Sequence, residues 1–370
     1  MKFSAQRESL LLPLQHVVGA IERKQTSPIL GNVLIEANDG YLTITATDSE
    51  IEMQARVEMQ IEQPGATTIP ARKFLDICKN LPDSARIDFS ATADKVMFKS
   101  GRSRFTLASL PADEFPKVEA LDSPQEVHIT ASDLHICVKN TAFSMAQQDV
   151  RFYLNGMLME IGADRLSCVA TDGHRLAYSQ CDTEADPDTP VRAIIPRKSV
   201  NELQRLLSTA NTEDKVTILV TSQHLQIQVG GVRISTKLID GRFPDYNRVI
   251  PIDGNKELVI DCQTLKQSLT RASVLSNEKY RGVRIALESG LLTITSNNPD
   301  QEEAIDEMEI DYQGESTEIG FNVTYLLDVL NYLDSENARI LVKDGNSSAL
   351  ITPEVSGSTD SKYVVMPMRL

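Results

Sequence analysis

Two kinds of residue grouping in this 370-residue chain could carry chemistry. One is Thr171-Asp-Gly-His-Arg175, with His174 two positions from Asp172. A histidine beside a carboxylate suits acid–base work or, with a nucleophile, a triad. No nucleophile stands at a defined spacing to complete one, and no phosphate-cradling or dinucleotide glycine pattern is present. Cys78, Cys137, Cys168, Cys181 and Cys262 are odd in number and lack a CxxC spacing. They read as reduced thiols, with no zinc or other cofactor expected. The second grouping is cationic: Arg72-Lys73 and Arg197-Lys198, each beginning within two residues of a proline. Paired cations at a helix start can face phosphate oxygens independently of base sequence. The same pair also serves as ordinary solvated charge, and the residue types alone leave both roles open.

These pairs sit in a phrase written three times. Ile69-Pro-Ala-Arg-Lys-Phe-Leu-Asp-Ile-Cys-Lys-Asn-Leu81 has Phe74, Ile77, Cys78 and Leu81 at helical spacing. Pro70 precedes the helix, where its missing N–H costs nothing. The phrase returns over Ile195–Leu207 and, altered, over Phe321–Leu333; its first turn moves from Pro70 to Pro196 to Asn322 in equal steps. Apolar positions keep register: Phe74, Val200 and Leu326; Ile77, Leu203 and Val329; Leu81, Leu207 and Leu333. On that register the cation pair recurs in the first two copies, while Val323-Thr324 replaces it in the third. One helix repeated at one interval argues for a triplicated domain.

The rest of the chain repeats around it. A helical stripe over Leu10, Leu14, Val17, Val18 and Ile21 predicts a first helix, with Pro13 confined to its first turn and Arg23-Lys24 at its end. Ser132–Met145 and Gln263–Leu275 predict its counterparts. Asn38-Asp-Gly40 marks a hairpin turn before the alternating Tyr41–Thr47. Linker-like stretches run over Pro111–Glu126 and Asp240–Lys256, and both carry Phe-Pro. Each unit reads as two helices and about eight strands, packed as α+β. The expected domains are 1–124, 125–254 and 255–370. Three like units form an arc, which closes or extends with the rotation between neighbours.

Length suits two or three domains, and composition suits a globular protein. The start has no signal pattern and no run approaches a membrane span, so a cytoplasmic protein is expected. A net charge of −15 argues only weakly against nucleic acid. Binding depends on where positive groups gather, and a basic face within an acidic shell satisfies both. The acidic residues cluster elsewhere, over Asp182–Asp188 and at Glu302, Glu303, Asp306, Glu307, Glu309 and Asp311.

From Met1 to Leu370 a consistent series of motifs resembles one family. They are Pro28-Ile-Leu-Gly-Asn, Pro70-Ala-Arg-Lys-Phe, Ser100-Gly-Arg-Ser-Arg-Phe, Ala170-Thr-Asp-Gly-His-Arg-Leu, Asp240-Gly-Arg-Phe-Pro-Asp-Tyr, Leu275-Ser-Asn-Glu-Lys and Val365-Met-Pro-Met-Arg-Leu370. The family is the bacterial replicative sliding clamp, the beta subunit of DNA polymerase III. The resemblance implies a processivity factor without catalysis: half of a head-to-tail homodimeric ring, with helices inside, sheets outside and duplex DNA in the hole. Implied partners are the polymerase III catalytic subunit, the clamp loader, other polymerases, ligase and mismatch-repair proteins. No membrane is implied.

The resemblance also implies sites. DNA contacts fall on Lys24, Arg72, Lys73, Gln148, Phe152, Tyr153, Arg197 and Lys198. Lys24 stands where the family often has Arg, and Phe152 where Tyr is common. A partner-peptide groove includes Leu154, Thr171, Gly173, His174, Arg175, Leu176, Pro244, Arg248, Val249, Asn322, Tyr325, Val364, Met366, Pro367, Met368 and Arg369. Flexible thioethers such as Met366 and Met368 suit a surface serving several partners, and equally suit a core. The implied dimer interface sets Phe105 and Leu107 against Val274 and Leu275, with Lys73, Arg102 and Arg104 facing Glu302 and Glu303. Two other readings are an enzyme centred on His174 and a peptide-binding scaffold that never meets DNA.

Overall fold

The computed structural model describes all residues except 23, 25, 26, 93, 119–120, 184–189, 253, 356–358 and 370. Arg23, most of Asp182–Asp188 and Leu370 therefore lie outside the described residues. Among those described, six α-helices and twenty-five strands follow one order three times. The first copy runs β1 (Lys2–Gln6), α1 (Arg7–Val17), β2 (Asn32–Asn38), β3 (Tyr41–Thr47), β4 (Ile51–Glu58), β5 (Ile61–Gln63), β6 (Gly65–Pro70), α2 (Ala71–Asn80), β7 (Arg86–Ala91), β8 (Lys95–Ser100) and β9 (Ser103–Ala108). The second runs β10 (Gln125–Thr130), α3 (Ala131–Ala142), β11 (Gly156–Ile161), β12 (Arg165–Thr171), β13 (Arg175–Asp182), β14 (Val191–Pro196), α4 (Arg197–Leu207), β15 (Lys215–Val220), β16 (His224–Val229) and β17 (Val232–Lys237). The third runs β18 (Lys256–Asp261), α5 (Cys262–Ser273), β19 (Gly282–Glu288), β20 (Leu291–Asn297), β21 (Glu303–Glu309), β22 (Thr317–Asn322), α6 (Val323–Tyr332), β23 (Asn337–Val342), β24 (Ala349–Pro353) and β25 (Asp360–Val365). The expected two helices and eight strands are present in each copy, with three-residue β5 as an extra.

The helices form where apolar spacing and end residues agree. In α2 the side chains of Phe74 and Cys78 are fully buried, as are Val200 in α4 and Val323 in α6. Each large apolar side chain so buried stabilises by roughly 1.5–3 kcal/mol. Phe74 packs on Phe98 at 5.2 Å, and Phe3 stacks on Phe89 at 4.6 Å. Asp261 and Asn322 cap α5 and α6 by accepting from the Thr264 and Thr324 amides. Pro13 differs from expectation: it lies inside α1, past the first turn, with its ring on the buried face. Burial there offsets the backbone bond that proline removes.

Each copy divides its strands into two antiparallel groups of four. In the first copy these are β6-β2-β3-β4 and β1-β7-β8-β9, with β5 added beside β1. Neighbouring copies then share sheets. β4 pairs with β17, Ile51 opposite Thr236, and β13 pairs with β25, Arg175 opposite Val365. Two eight-stranded sheets result, and β9 and β21 end the remaining two. The chain accordingly packs as two compact bodies, residues 1–132 with 198–238 and residues 133–197 with 239–370.

Strand pairing fixes the alignment between copies. Pro70, Pro196 and Asn322 lie opposite Asn32, Gly156 and Gly282. Lys198 therefore takes the place of Arg72, and Arg197 that of Ala71. The cation pairs thus recur one residue out of step, because Ala71 separates proline from arginine only in the first copy.

Candidate nucleic-acid interface and partner groove

The Thr-Asp-Gly-His-Arg stretch is a turn that the first copy repeats in other residues. Asp172 Oδ1 accepts from the amides of His174 (2.9 Å) and Arg175 (3.0 Å), and Thr171 Oγ1 donates to the Arg175 carbonyl at 2.6 Å. Asp48 Oδ1 accepts from Glu50 and Ile51, both at 2.9 Å, while Thr47 Oγ1 donates to the Ile51 carbonyl at 2.8 Å. The residue after each aspartate, Ser49 or Gly173, has positive φ. Asp172 Oδ2 accepts from Arg175 Nε at 3.1 Å, so both carboxylate oxygens have structural partners. His174 is exposed and lies over the Tyr325 ring, 6.4 Å between centroids. This is turn-forming geometry, not an acid–base pair.

Arg175 is the hub of the second body. Its Nη1 pairs with Asp328, its Nη2 donates to the Phe143 carbonyl at 2.9 Å, and its guanidinium lies 4.7 Å from the Tyr325 ring centre. Its side chain is 12 % exposed, so these contacts are largely screened from solvent. Beside it, Leu154, Leu176 and Val364 share one apolar cluster with Phe243 and Tyr246, flanked by Tyr153 and Val249. The Met366 amide donates to the His174 carbonyl at 2.9 Å, and the Met368 amide to Gly320 at 2.8 Å. The terminal Met-Pro-Met is thereby pinned, half-buried, along this wall. Pro244, Arg248 and Arg369 are exposed, and Arg248 pairs with Asp245 at 3.0 Å. The Asn322 side chain caps α6 and donates to the Tyr280 carbonyl. Sequence reasoning missed Phe143, Phe243, Tyr246 and Asp328; the helical spacing of Asp328 gives no sign of a partner 153 residues earlier.

The proposed DNA residues divide by environment. In the first body Lys24, Arg72 and Lys73 are exposed, with one long bond from Arg72 to the Ile21 carbonyl at 3.4 Å. Lys198 is engaged: its Nζ donates to the Ala20 carbonyl (2.7 Å), Glu22 Oε1 (2.7 Å) and Asp48 Oδ2 (2.5 Å). In the second body Gln148 and Phe152 are exposed, and Phe152 begins a short 3-10 turn with Tyr153. Arg197 Nη1 donates to the Met145 carbonyl at 2.7 Å. Arg151 beside Asp149 holds that carboxyl down at about 2. Among the described residues no group of three His, Cys, Asp or Glu side chains could hold a metal, and no helix is long and apolar enough to cross a membrane.

Burial pushes the Asp48 carboxyl up, but Lys198 and the Ile51 and Glu50 amides outweigh it, leaving the group below its ordinary range. Its stabilising effect is therefore present above the ordinary carboxylate range and lost as pH falls through the lowered value. Lys198→Ala should destabilise the first body by roughly 1–3 kcal/mol, by leaving Asp48 without its cation. Amide exchange in β4 and α4 measures this. Unchanged protection, with only DNA affinity reduced, would return Lys198 to the phosphate-binding set.

Comparison with known proteins agrees with this architecture. Sequence models of the DNA polymerase III beta subunit match in chain order: N-terminal domain over residues 1–119, central domain over 128–245 and C-terminal domain over 247–369. The chain is 47% identical to the beta sliding clamps of Pseudomonas putida and Escherichia coli K12, each covered end to end. It is similar to the crystal structures of a Pseudomonas aeruginosa DNA polymerase sliding clamp with ligand (TM-score 0.96, 47% identity) and of that organism's clamp bound to griselimycin (TM-score 0.96, 47% identity). Caulobacter crescentus pol III beta follows at TM-score 0.92 and 36% identity. Each of the three structures is covered over its full length, as is this chain. Three tandem modules of this kind define the class of sliding clamps, processivity factors without catalysis of their own. The chain belongs to the DNA polymerase III beta subunit family.

Proposed function

We propose that two copies of this chain close head to tail into a ring around duplex DNA and tether DNA polymerase III to its template. The observation that carries this reading is the repeated sheet junction. Within the chain, β4 joins β17 and β13 joins β25. The corresponding strands left at sheet edges are β21 and β9. A second copy supplies the missing neighbour at each end, which satisfies the edges and closes the assembly.

The internal junctions also supply a register. Ile51 lies opposite Thr236 and Arg175 opposite Val365. The equivalent pair on the free edges is Glu302 with Leu107. Phe105 then meets Ala304, and Arg104 lies opposite Ile305, diagonal to Glu303 and Glu307. Lys73 and Arg102, with Val274 and Leu275, extend the same contact.

Lys24, Arg72, Lys73, Gln148, Phe152, Tyr153 and Arg197 face the DNA in this reading. Contacts to the backbone alone allow sliding, and ring closure supplies retention. The cluster of Leu154, Leu176, Val249 and Val364, lined by Met366 and Met368, receives a short extended peptide with apolar anchors. Polymerases, ligase, mismatch-repair proteins and the loader compete for it in the cytoplasm. The test is topological. Loaded protein should remain on nicked circular duplex and leave the same DNA once linearised; equal retention on both would favour a scaffold that does not encircle DNA.

A further inference from the structure

The internal junctions contain helices as well as strands, and their geometry points to a helical half of the seam between copies. In the first junction α4 docks on the C-terminal end of α1. Arg205 donates to the Gln15 carbonyl at 2.8 Å and the His16 carbonyl at 2.5 Å, and its Nη2 pairs with Glu202 at 2.5 Å. Lys198 takes the Ala20 carbonyl. Glu202 lies against Gly19, where a Cβ would enter its carboxylate. Cations here satisfy carbonyls at the negative end of α1. In the second junction the equivalent of Glu202 is Asp328, and Arg175 ties it to the carbonyl of Phe143, the equivalent of Gly19.

α2 has the same pattern and, among the described residues, no such neighbour within the chain. Asp76 and Lys79 stand in the places of Glu202 and Arg205, both exposed. α5 offers the matching end. The first residues of α1, α3 and α5 are aligned by strand pairs that place Gln6, Thr130 and Asp261 opposite Arg86, Lys215 and Asn337. On that alignment Thr270 and Arg271 stand for Gln15 and His16, and Val274 stands for Gly19. Val274 is 75% exposed. Residue sizes also covary. Glutamate lies against glycine in the first junction, and in the second the shorter aspartate is joined to phenylalanine through Arg175. At the free ends the acid is again aspartate and its counterpart is valine.

We propose that Lys79 of one copy caps α5 of a second copy by donating to its Thr270 and Arg271 carbonyls, with Asp76 seated beside that copy's Val274. This rests on the ring reading above and adds a helical contact that the strand edges do not require. Lys79 and Asp76 are exposed in the single chain, so their substitution should leave the fold intact.

The test measures dimer dissociation by sedimentation. Lys79→Glu should raise the dissociation constant about tenfold or more, since it sets a carboxylate against helix-end carbonyls. Lys79→Arg, which places in α2 the residue α4 already uses, should stay within about threefold of the parent. Under mild oxidation the double variant Asp76→Cys/Val274→Cys should give a covalent dimer that neither single variant gives. An unchanged constant for Lys79→Glu, or no cross-link in the double variant, overturns the helix contact. If the parent protein is itself monomeric at every concentration, the ring reading fails instead.

Discussion

Replacing Arg175 by alanine should destabilise the second body by about 3–5 kcal/mol, the range seen when one partner of a buried ion pair is removed. Three partners depend on this guanidinium: Asp172, Asp328 and the Phe143 carbonyl. They come from the turn before β13, from α6 and from the end of α3. Its loss strands two carboxylates, 18 % and 32 % exposed, beside aromatic rings. The guanidinium also lies 5.3 and 4.7 Å from the Phe143 and Tyr325 ring centres, and alanine gives up both contacts. Amide protection across β13 and α6 should fall by about two to four orders of magnitude, the equivalent of that free energy at about 1.4 kcal/mol per tenfold. Arg175→Lys should recover only part, because an ammonium cannot serve both acids and the carbonyl in one plane. Joint replacement of Arg175 and Asp328 by methionine should cost less than Arg175→Ala, since it removes a charge with its partner. Unaltered protection in Arg175→Ala would mean that the hub carries no weight. The proposed peptide groove should weaken with it, because His174 and Leu176 flank Arg175 and the Met366 amide bonds to His174.

The sequence was legible where structure is local. The interval between Pro70, Pro196 and Asn322 showed through because each strand-to-helix turn needs a residue that starts a helix. The apolar stripes showed through because α2, α4 and α6 each bury one face. Legibility stopped where a contact joins distant segments. Nothing in β4 announces β17 as its neighbour, since edge pairing uses backbone groups that every residue carries. Lys198 read as a free cation because Asp48 lies 150 residues away. Pro13 was placed by a local rule that a buried ring overrides. The composition of the cation pairs repeats and so aligns them in the sequence, yet strand pairing sets them one residue apart. At the groove, Leu176 and Val364 lie in runs buried on both faces, Leu176-Ala177 and Tyr363–Val365, and nothing in those runs says that they meet Leu154 and Phe243. Only the family resemblance suggested that those residues belong together.

Ile305→Lys should disrupt the ring while leaving each chain folded. Ile305 is 59% exposed in the middle of β21, so the single chain loses little packing when it changes. In the proposed register it lies opposite Arg104 of a second copy. A lysine there sets two cations face to face on a strand edge, a device that blocks edge pairing. The dimer dissociation constant should rise by roughly tenfold to a hundredfold, about 1.4–2.8 kcal/mol over the two interfaces together. Opening either interface of a twofold ring frees the DNA, so the half-life on nicked circular DNA should fall by the share of one interface, roughly threefold to tenfold. Ile305→Thr, which keeps a β-branched side chain and adds no charge, should dimerise nearly as the parent does. The register itself is tested by restoring complementarity: Arg104→Glu combined with Ile305→Lys should recover dimerisation that each single change reduces, a coupling expected only of neighbours. Full dimerisation of Ile305→Lys would remove β21 from the interface. A double variant no better than its parts would keep the strand but refute the pairing of Arg104 with Ile305.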